Sequence, residues 1–169
     1  MDEIVNKVAN SPLITFNLEE YYDQSAVAEF DMKQHLFQGL ILREKDFRGF
    51  IKSCDWSEYQ GKNVALFCSA DAIVPTWAYM LVANKLSGIA NYVHYGSPQD
   101  MQQSIILEKL NQIDVESYRD KMVVIKGCSK FDVPIGAYVA ITEKFTPVAK
   151  SIMFGEPCST VPIYKKKRE

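Results

Sequence analysis

Three of the chain's four cysteines stand in the same dipeptide, at Cys68-Ser69, Cys128-Ser129 and Cys158-Ser159. Cys68 and Cys128 each close a short apolar run, and Cys158 lies in a Gly-Glu-Pro-Cys-Ser stretch. Thiolates are soft ligands that select zinc, copper(I) or iron–sulfur clusters. Brought together, Cys68, Cys128 and Cys158 would form a metal centre, with an iron–sulfur cluster or zinc as cofactor. Asp71, His94 or, more weakly, Glu156 would add a further ligand. Ser69, Ser129 and Trp77 lie close by in sequence as pocket residues. The sulfurs are 60 and 30 positions apart with no Cys-x-x-Cys pair, so the spacing alone names no metal.

The same residues allow other chemistry. A cysteine at a strand-to-helix turn is placed like the nucleophile of an elbow motif, which would make the protein a small-molecule enzyme. The Gly-x-Ser/Cys-x-Gly pattern is absent, and a base would have to be His94 or His35, the chain's two histidines. Two approaching cysteines need neither metal nor base to exchange thiol and disulfide. Burial competes with all of these. Cysteine is among the most buried residue types, and on that reading the chain is a structural or interaction protein. Cys158 fits burial least, because of its polar turn. Cys54 stands outside the pattern and reads as structural or exposed.

What must position these residues is a unit that the sequence carries twice. Residues 55–98 and 114–157 keep an offset of 59: Tyr59 answers Tyr118, Lys62 answers Lys121, Val74-Pro75 answers Val133-Pro134, Ala78-Tyr79 answers Ala137-Tyr138, and Pro98 answers Pro157. One extra residue near Gly127 displaces Cys128 by one position. A register kept that long reads as a duplicated supersecondary unit.

Each copy reads as β–loop–α–β. Residues 63–68 and 122–126 are compact apolar runs that fit buried parallel strands. Pro75 and Pro134 suit the first turn of a helix, where the missing N–H costs nothing. Strands follow at residues 89–95 and 148–154, and a helix over residues 98–112 joins the copies. The N-terminal extension, residues 1–54, predicts a short helix over residues 1–12, strands at 13–18 and 27–32, a turn or loop over 19–23, strand or connector over 36–41, and a helix over 43–53. A last short strand is expected at residues 161–164. The fold class is therefore α/β: a single domain over residues 1–169 with a mainly parallel sheet. Both loop cysteines and Cys158 then fall at carboxyl ends of strands, where open α/β sheets bind ligands. With strands about 4.8 Å apart, three thiols on neighbouring strand ends would converge.

Composition narrows the setting. An apolar fraction of 47% and a charged fraction of 24% are those of ordinary globular domains. A net charge of −2 gives no field that favours nucleic acid or an anionic membrane. Met1-Asp2-Glu3 opens no signal peptide, and no apolar run approaches the roughly 18 residues that span a bilayer. A cytoplasmic location follows as the expectation, with free thiols and not disulfides. Nothing in the sequence fixes the oligomeric state.

The motifs Phe67-Cys-Ser-Ala-Asp-Ala-Ile-Val-Pro-Thr-Trp-Ala-Tyr-Met80, Lys126-Gly-Cys-Ser129 and Phe154-Gly-Glu-Pro-Cys-Ser-Thr-Val-Pro162, with Ser11-Pro-Leu-Ile-Thr-Phe16, carry a resemblance over nearly the whole chain. The sequence resembles an uncharacterised bacterial family, a domain of unknown function. That family's members are often neighbours of the sulfur-mobilisation (SUF) system for iron–sulfur cluster assembly. The resemblance implies an accessory role beside iron–sulfur assembly proteins, and favours the three-thiol site over a hydrolase.

Overall fold

The computed structural model describes residues 13–127 and 129–167. The chain is α/β. Its described elements run β1 (Leu13–Asn17), β2 (Val27–Asp31), α1 (Glu44–Ser53), β3 (Asn63–Phe67), α2 (Thr76–Leu86), β4 (Tyr92–Tyr95), α3 (Pro98–Asn111), β5 (Met122–Lys126), α4 (Ile135–Phe145), β6 (Ser151–Glu156) and β7 (Ser159–Lys165). The expected strands and helices are present from residue 13 onward. The helix expected over residues 1–12 lies outside the described residues. Residues 19–23 hold most of a 3-10 turn, Leu18–Tyr21. Residues 36–41 form no strand; Phe37 and Ile41 meet in an isolated antiparallel bridge.

The expectation of one mainly parallel sheet is corrected. The described strands form two sheets, ordered β2-β3-β4 and β1-β5-β6-β7. The N-terminal strands are the reason. β2 pairs with β3 and β1 with β5, so that β3 and β5 each become the central strand of a sheet of their own. The chain divides accordingly into two compact units, residues 24–102 and residues 1–23 with 103–169.

In the unit of residues 24–102, β3 lies between β2 and β4, all parallel. Three of its five residues are apolar and buried, as a strand covered on both faces requires. Helix α2 starts directly after Pro75 and packs Ala78, Val82 and Leu86 into the core, a four-residue spacing that keeps one face inward. Phe30 is the centre of this core. It stacks on Trp56 at 5.8 Å and on His35 at 5.2 Å, and meets Phe50 and Tyr59.

The other unit repeats this plan. Strand β5 lies between β1 and β6, both parallel to it, and β7 adds an antiparallel edge to β6. Helix α4 follows Pro134 and buries Ala137, Ile141 and Phe145, each 59 residues after its counterpart on α2. Asp55 and Asp114 both accept a backbone N–H two residues on and open short 3-10 turns, Trp56–Tyr59 and Val115–Tyr118. Gly61 and Asp120 both take a left-handed backbone, with φ of 68° and 54°. Their N–H groups donate to the carbonyls of Ile89 and Val148.

The N-terminal residues are more than an extension. Strands β1 and β2 each add a parallel strand to one unit, and each ends in a short motif, Phe16-Asn17-Leu18 or Phe30-Asp31-Met32. In both motifs the first and third side chains are buried. The middle one accepts a backbone N–H two residues on, of Glu19 or Lys33. The common plan of each unit is therefore strand, 3-10 turn, strand, loop, helix, strand.

Candidate functional site

The carboxyl ends of β3 and β5 carry the Cys-Ser loops, and a carboxylate holds each loop down. In one unit Asp31 accepts the Ser69 N–H at 3.0 Å and the Ser69 hydroxyl at 2.5 Å. In the other, Glu19 accepts the N–H groups of Ser129, Lys130 and Phe131 and the Ser129 hydroxyl. The anchor differs with the register. The two loops, residues 68–75 and 127–134, are equally long, but Gly127 sets the second Cys-Ser pair one position later in its loop, and the carboxylate that reaches it sits two positions further along, on the 3-10 turn after β1. In place of Gly127 no other residue fits well: a Cβ there would lie 2.9 Å from Leu18 Cβ and 2.9 Å from the Tyr138 hydroxyl.

These bonds set the charge of both anchors. The Lys130 N–H, against the opposing effect of desolvation and with help from Ser129 and Phe131, lowers the Glu19 pKa from 4.5 to about 2. Partial burial works to raise the Asp31 pKa, but the Ser69 hydroxyl and N–H and the Lys33 N–H outweigh it and hold it below its ordinary value. Ser69 and Ser129, expected as pocket or ligand residues, are thus anchors whose hydroxyls are committed to carboxylates.

A cleft opens beside each loop. One, of about 650 Å³, lies between the outer side of α2 and edge strand β4 and includes Leu66, Ile73, Val74, Thr76, Tyr79, Met80, Ala83, Val93 and Tyr95 in its lining. The other, also of about 650 Å³, is lined by Ile125, Ser129, Lys130, Phe131, Asp132, Val133, Ile135, Tyr138, Thr142, Phe154 and Ile163. The two are built alike. Leu66, Val74, Thr76, Tyr79, Ala83 and Tyr95 correspond at an offset of 59 to Ile125, Val133, Ile135, Tyr138, Thr142 and Phe154. Each contains an edge-to-face aromatic pair, Tyr79 with Tyr95 at 5.2 Å and Tyr138 with Phe154 at 5.8 Å. Each leaves apolar side chains in the open: Ile73 is 90% exposed and Ile135 79%.

Of the three cysteines expected as ligands, Cys68 and Cys158 are among the described residues. Cys68 is half-buried beside the first cleft and directs its thiol to the Ala70 carbonyl at 3.6 Å. It follows β3, whereas Cys158 is exposed at the tip of the β6–β7 hairpin, where Glu156 pairs with Ser159. The two belong to different sheets, so three thiols on neighbouring ends of one sheet is a premise the fold does not meet. Cys128 lies outside the described residues. Among the described residues, no group of three or more His, Cys, Asp or Glu side chains is placed to hold a metal.

The other expected residues have partners within their own units or stand exposed. Asp71 is exposed in the loop after β3. His94 stacks on Tyr92 at 6.4 Å, and its ring comes close to Gly96 and Asp100 at the start of α3. Glu156 pairs with Lys126 at 3.4 Å across the ends of β6 and β5. Trp77 turns toward α1, with Phe47 at 6.2 Å and Arg48 at 5.6 Å, and Tyr79 lines the cleft. The residues that sequence reasoning missed are Glu19 and Asp31, with Tyr95 and Phe154. A signal for the anchors was present in the paired Phe16-Asn17-Leu18 and Phe30-Asp31-Met32 motifs.

No helix among the described residues is long and apolar enough to cross a membrane. Comparison with curated proteins gives no match, and comparison with solved structures gives none. Residues 2–166 match the family model described as "Protein of unknown function (DUF2480)", and the chain belongs to that family.

Proposed function

We propose that the protein is a binding protein for apolar ligands, with one cleft in each unit and a loop cysteine beside it. The observation that carries this reading is the correspondence of six lining positions between the two clefts. Core packing alone gives no reason for Ile73 and Ile135 to stand exposed at the mouths of both. Apolar surface of that kind, rimmed by a few polar groups, marks a binding site. Its place at the carboxyl ends of parallel strands is where open α/β sheets take ligands. A ligand in either cleft lies next to a Cys-Ser loop, which gives Cys68 a role as its neighbour. The correspondence also supports the origin of the two units by duplication.

The test is a titration with the neutral apolar dye Nile red. Saturable fluorescence enhancement by the folded protein is expected, reduced at least several-fold by combining Ile73→Asp with Ile135→Asp. An unchanged titration in that double variant rejects the reading.

A thiol centre is the second reading, and one relationship favours it. Strands β5 and β6 are adjacent and parallel, and Cys128 and Cys158 each follow their strand by two residues. This pair supports a disulfide exchange. With Cys68 and a ligand such as Asp71, His94 or Glu156, it is the remaining basis for zinc or an iron–sulfur cluster and for a place beside iron–sulfur assembly proteins. Anaerobic purification followed by an absorption spectrum and elemental analysis tests it. Iron with sulfide, or zinc, at a stoichiometry lost in Cys128→Ser supports a metal. Metal-free protein whose Cys128 and Cys158 form no disulfide under mild oxidation rejects the thiol centre altogether.

A further inference from the structure

We propose that the loop after β5 is an oxyanion site that the chain keeps filled with its own Glu19. Three successive N–H groups, of Ser129, Lys130 and Phe131, converge with the Ser129 hydroxyl on a single carboxylate. Successive backbone N–H groups arranged this way form a nest, a concavity that takes phosphate or carboxylate. The loop sits at the carboxyl end of a central parallel strand, where such nests serve ligands in other α/β proteins. Here the occupant is internal. Glu19 comes from 110 residues earlier in the sequence, so the contact belongs to the tertiary fold and not to a local turn.

The other unit does the same with different residues. Asp31 takes both the N–H and the hydroxyl of Ser69 from 38 residues away. Two separately built loops are thus each supplied with a carboxylate, from the end of β2 in one unit and from the 3-10 turn after β1 in the other. The ligand class of the vacated site is a small oxyanion, carboxylate or phosphate. With Glu19 in place the loop is closed to an external phosphate, so nucleotide phosphates are excluded from the position they occupy in many α/β folds. This holds whatever fills the neighbouring apolar cleft.

The experiment compares thermal melting of the wild-type chain and Glu19→Ala in sodium formate or sodium phosphate, against sodium chloride at matched ionic strength. The variant is expected to melt lower in chloride and to recover saturably in formate or phosphate. The wild type should respond to these anions no more than to chloride. Recovery with either anion supports the proposal; equal responses of variant and wild type overturn it. Should Glu19→Ala not fold in chloride, refolding is followed by circular dichroism in formate and in phosphate. Folding restored by either anion supports the proposal, and failure to fold in both overturns it.

Discussion

Ser129 donates its N–H and its hydroxyl to the two carboxylate oxygens of Glu19, at 2.7 and 2.9 Å. The bond pair ties the loop after β5 to the 3-10 turn after β1, and its strength depends on Glu19 being ionised. The folded pKa is about 2 against an ordinary value of 4.5. A depressed carboxylate contributes stability that is complete above the unfolded value and is lost as pH falls through the folded one. Glu19→Gln should therefore be much less stable than wild type at pH 7, and the difference should shrink between pH 4.5 and 2. Urea denaturation at a series of pH values checks this.

Gly127→Ala should destabilise the same unit by about 1–3 kcal/mol, the usual cost of forcing a methyl group into a filled space. The new Cβ would meet Leu18 and the Tyr138 hydroxyl at 2.9 Å, and Leu18 is fully buried. Combining the change with Tyr138→Phe relieves one of the two clashes, so the double variant should regain part of the loss in the same denaturation measurement.

His35 should make the other unit sensitive to mild acid. Burial beside Phe30, Phe47 and Phe50 lowers its pKa below 6.5, against the opposing pull of the Asp31 carboxylate. The fold therefore favours the neutral ring. Stability is complete above the unfolded value of 6.5 and falls as the unfolded chain gains a proton below it. Wild type should lose more stability from pH 7 to pH 5 than His35→Leu does, read by denaturant melts that follow Trp56 fluorescence.

The thiols should separate by reactivity. Cys158 stands exposed at a hairpin tip, Cys68 is half-buried, and burial with the nearby Glu58 and Asp55 carboxylates raises the Cys54 pKa. Since the thiolate is the reacting form, timed alkylation followed by mass spectrometry should label Cys158 first and Cys54 well after it.

Much of the fold was legible because the central strands β3 and β5 are buried on both faces. Such strands read as short, continuous apolar runs, and residues 63–68 and 122–126 do so. Helices α2 and α4 announced themselves through Pro75 and Pro134 and a four-residue apolar spacing. Sheet membership was not legible. Whether β3 and β5 share a sheet depends on which strands flank them, and β1 pairs with β5 across about a hundred residues, a relationship that no local pattern encodes. The expectation that Cys68 and Cys158 would follow strands of one sheet failed for that reason. The anchors Glu19 and Asp31 were hidden likewise: their partners are 110 and 38 residues away. Glu19 read as one of several acidic residues in a polar stretch. The clefts were half legible, since Tyr79 and Tyr138 stood out as a repeated pair. The exposure of Ile73 and Ile135 depends on where each helix stops covering its sheet.

The central claim is that each unit carries an apolar binding cleft, and the side chains at the two mouths are isoleucines, Ile73 and Ile135. Methyl-labelled isoleucine spectra, recorded while a small neutral apolar ligand such as Nile red is titrated, test it most directly. The account predicts saturable shifts of the Ile73 and Ile135 methyl signals, with the buried Ile105 and Ile141 much less affected. Saturable shifts confined to isoleucines outside both clefts, or no saturable shift at all, would contradict it.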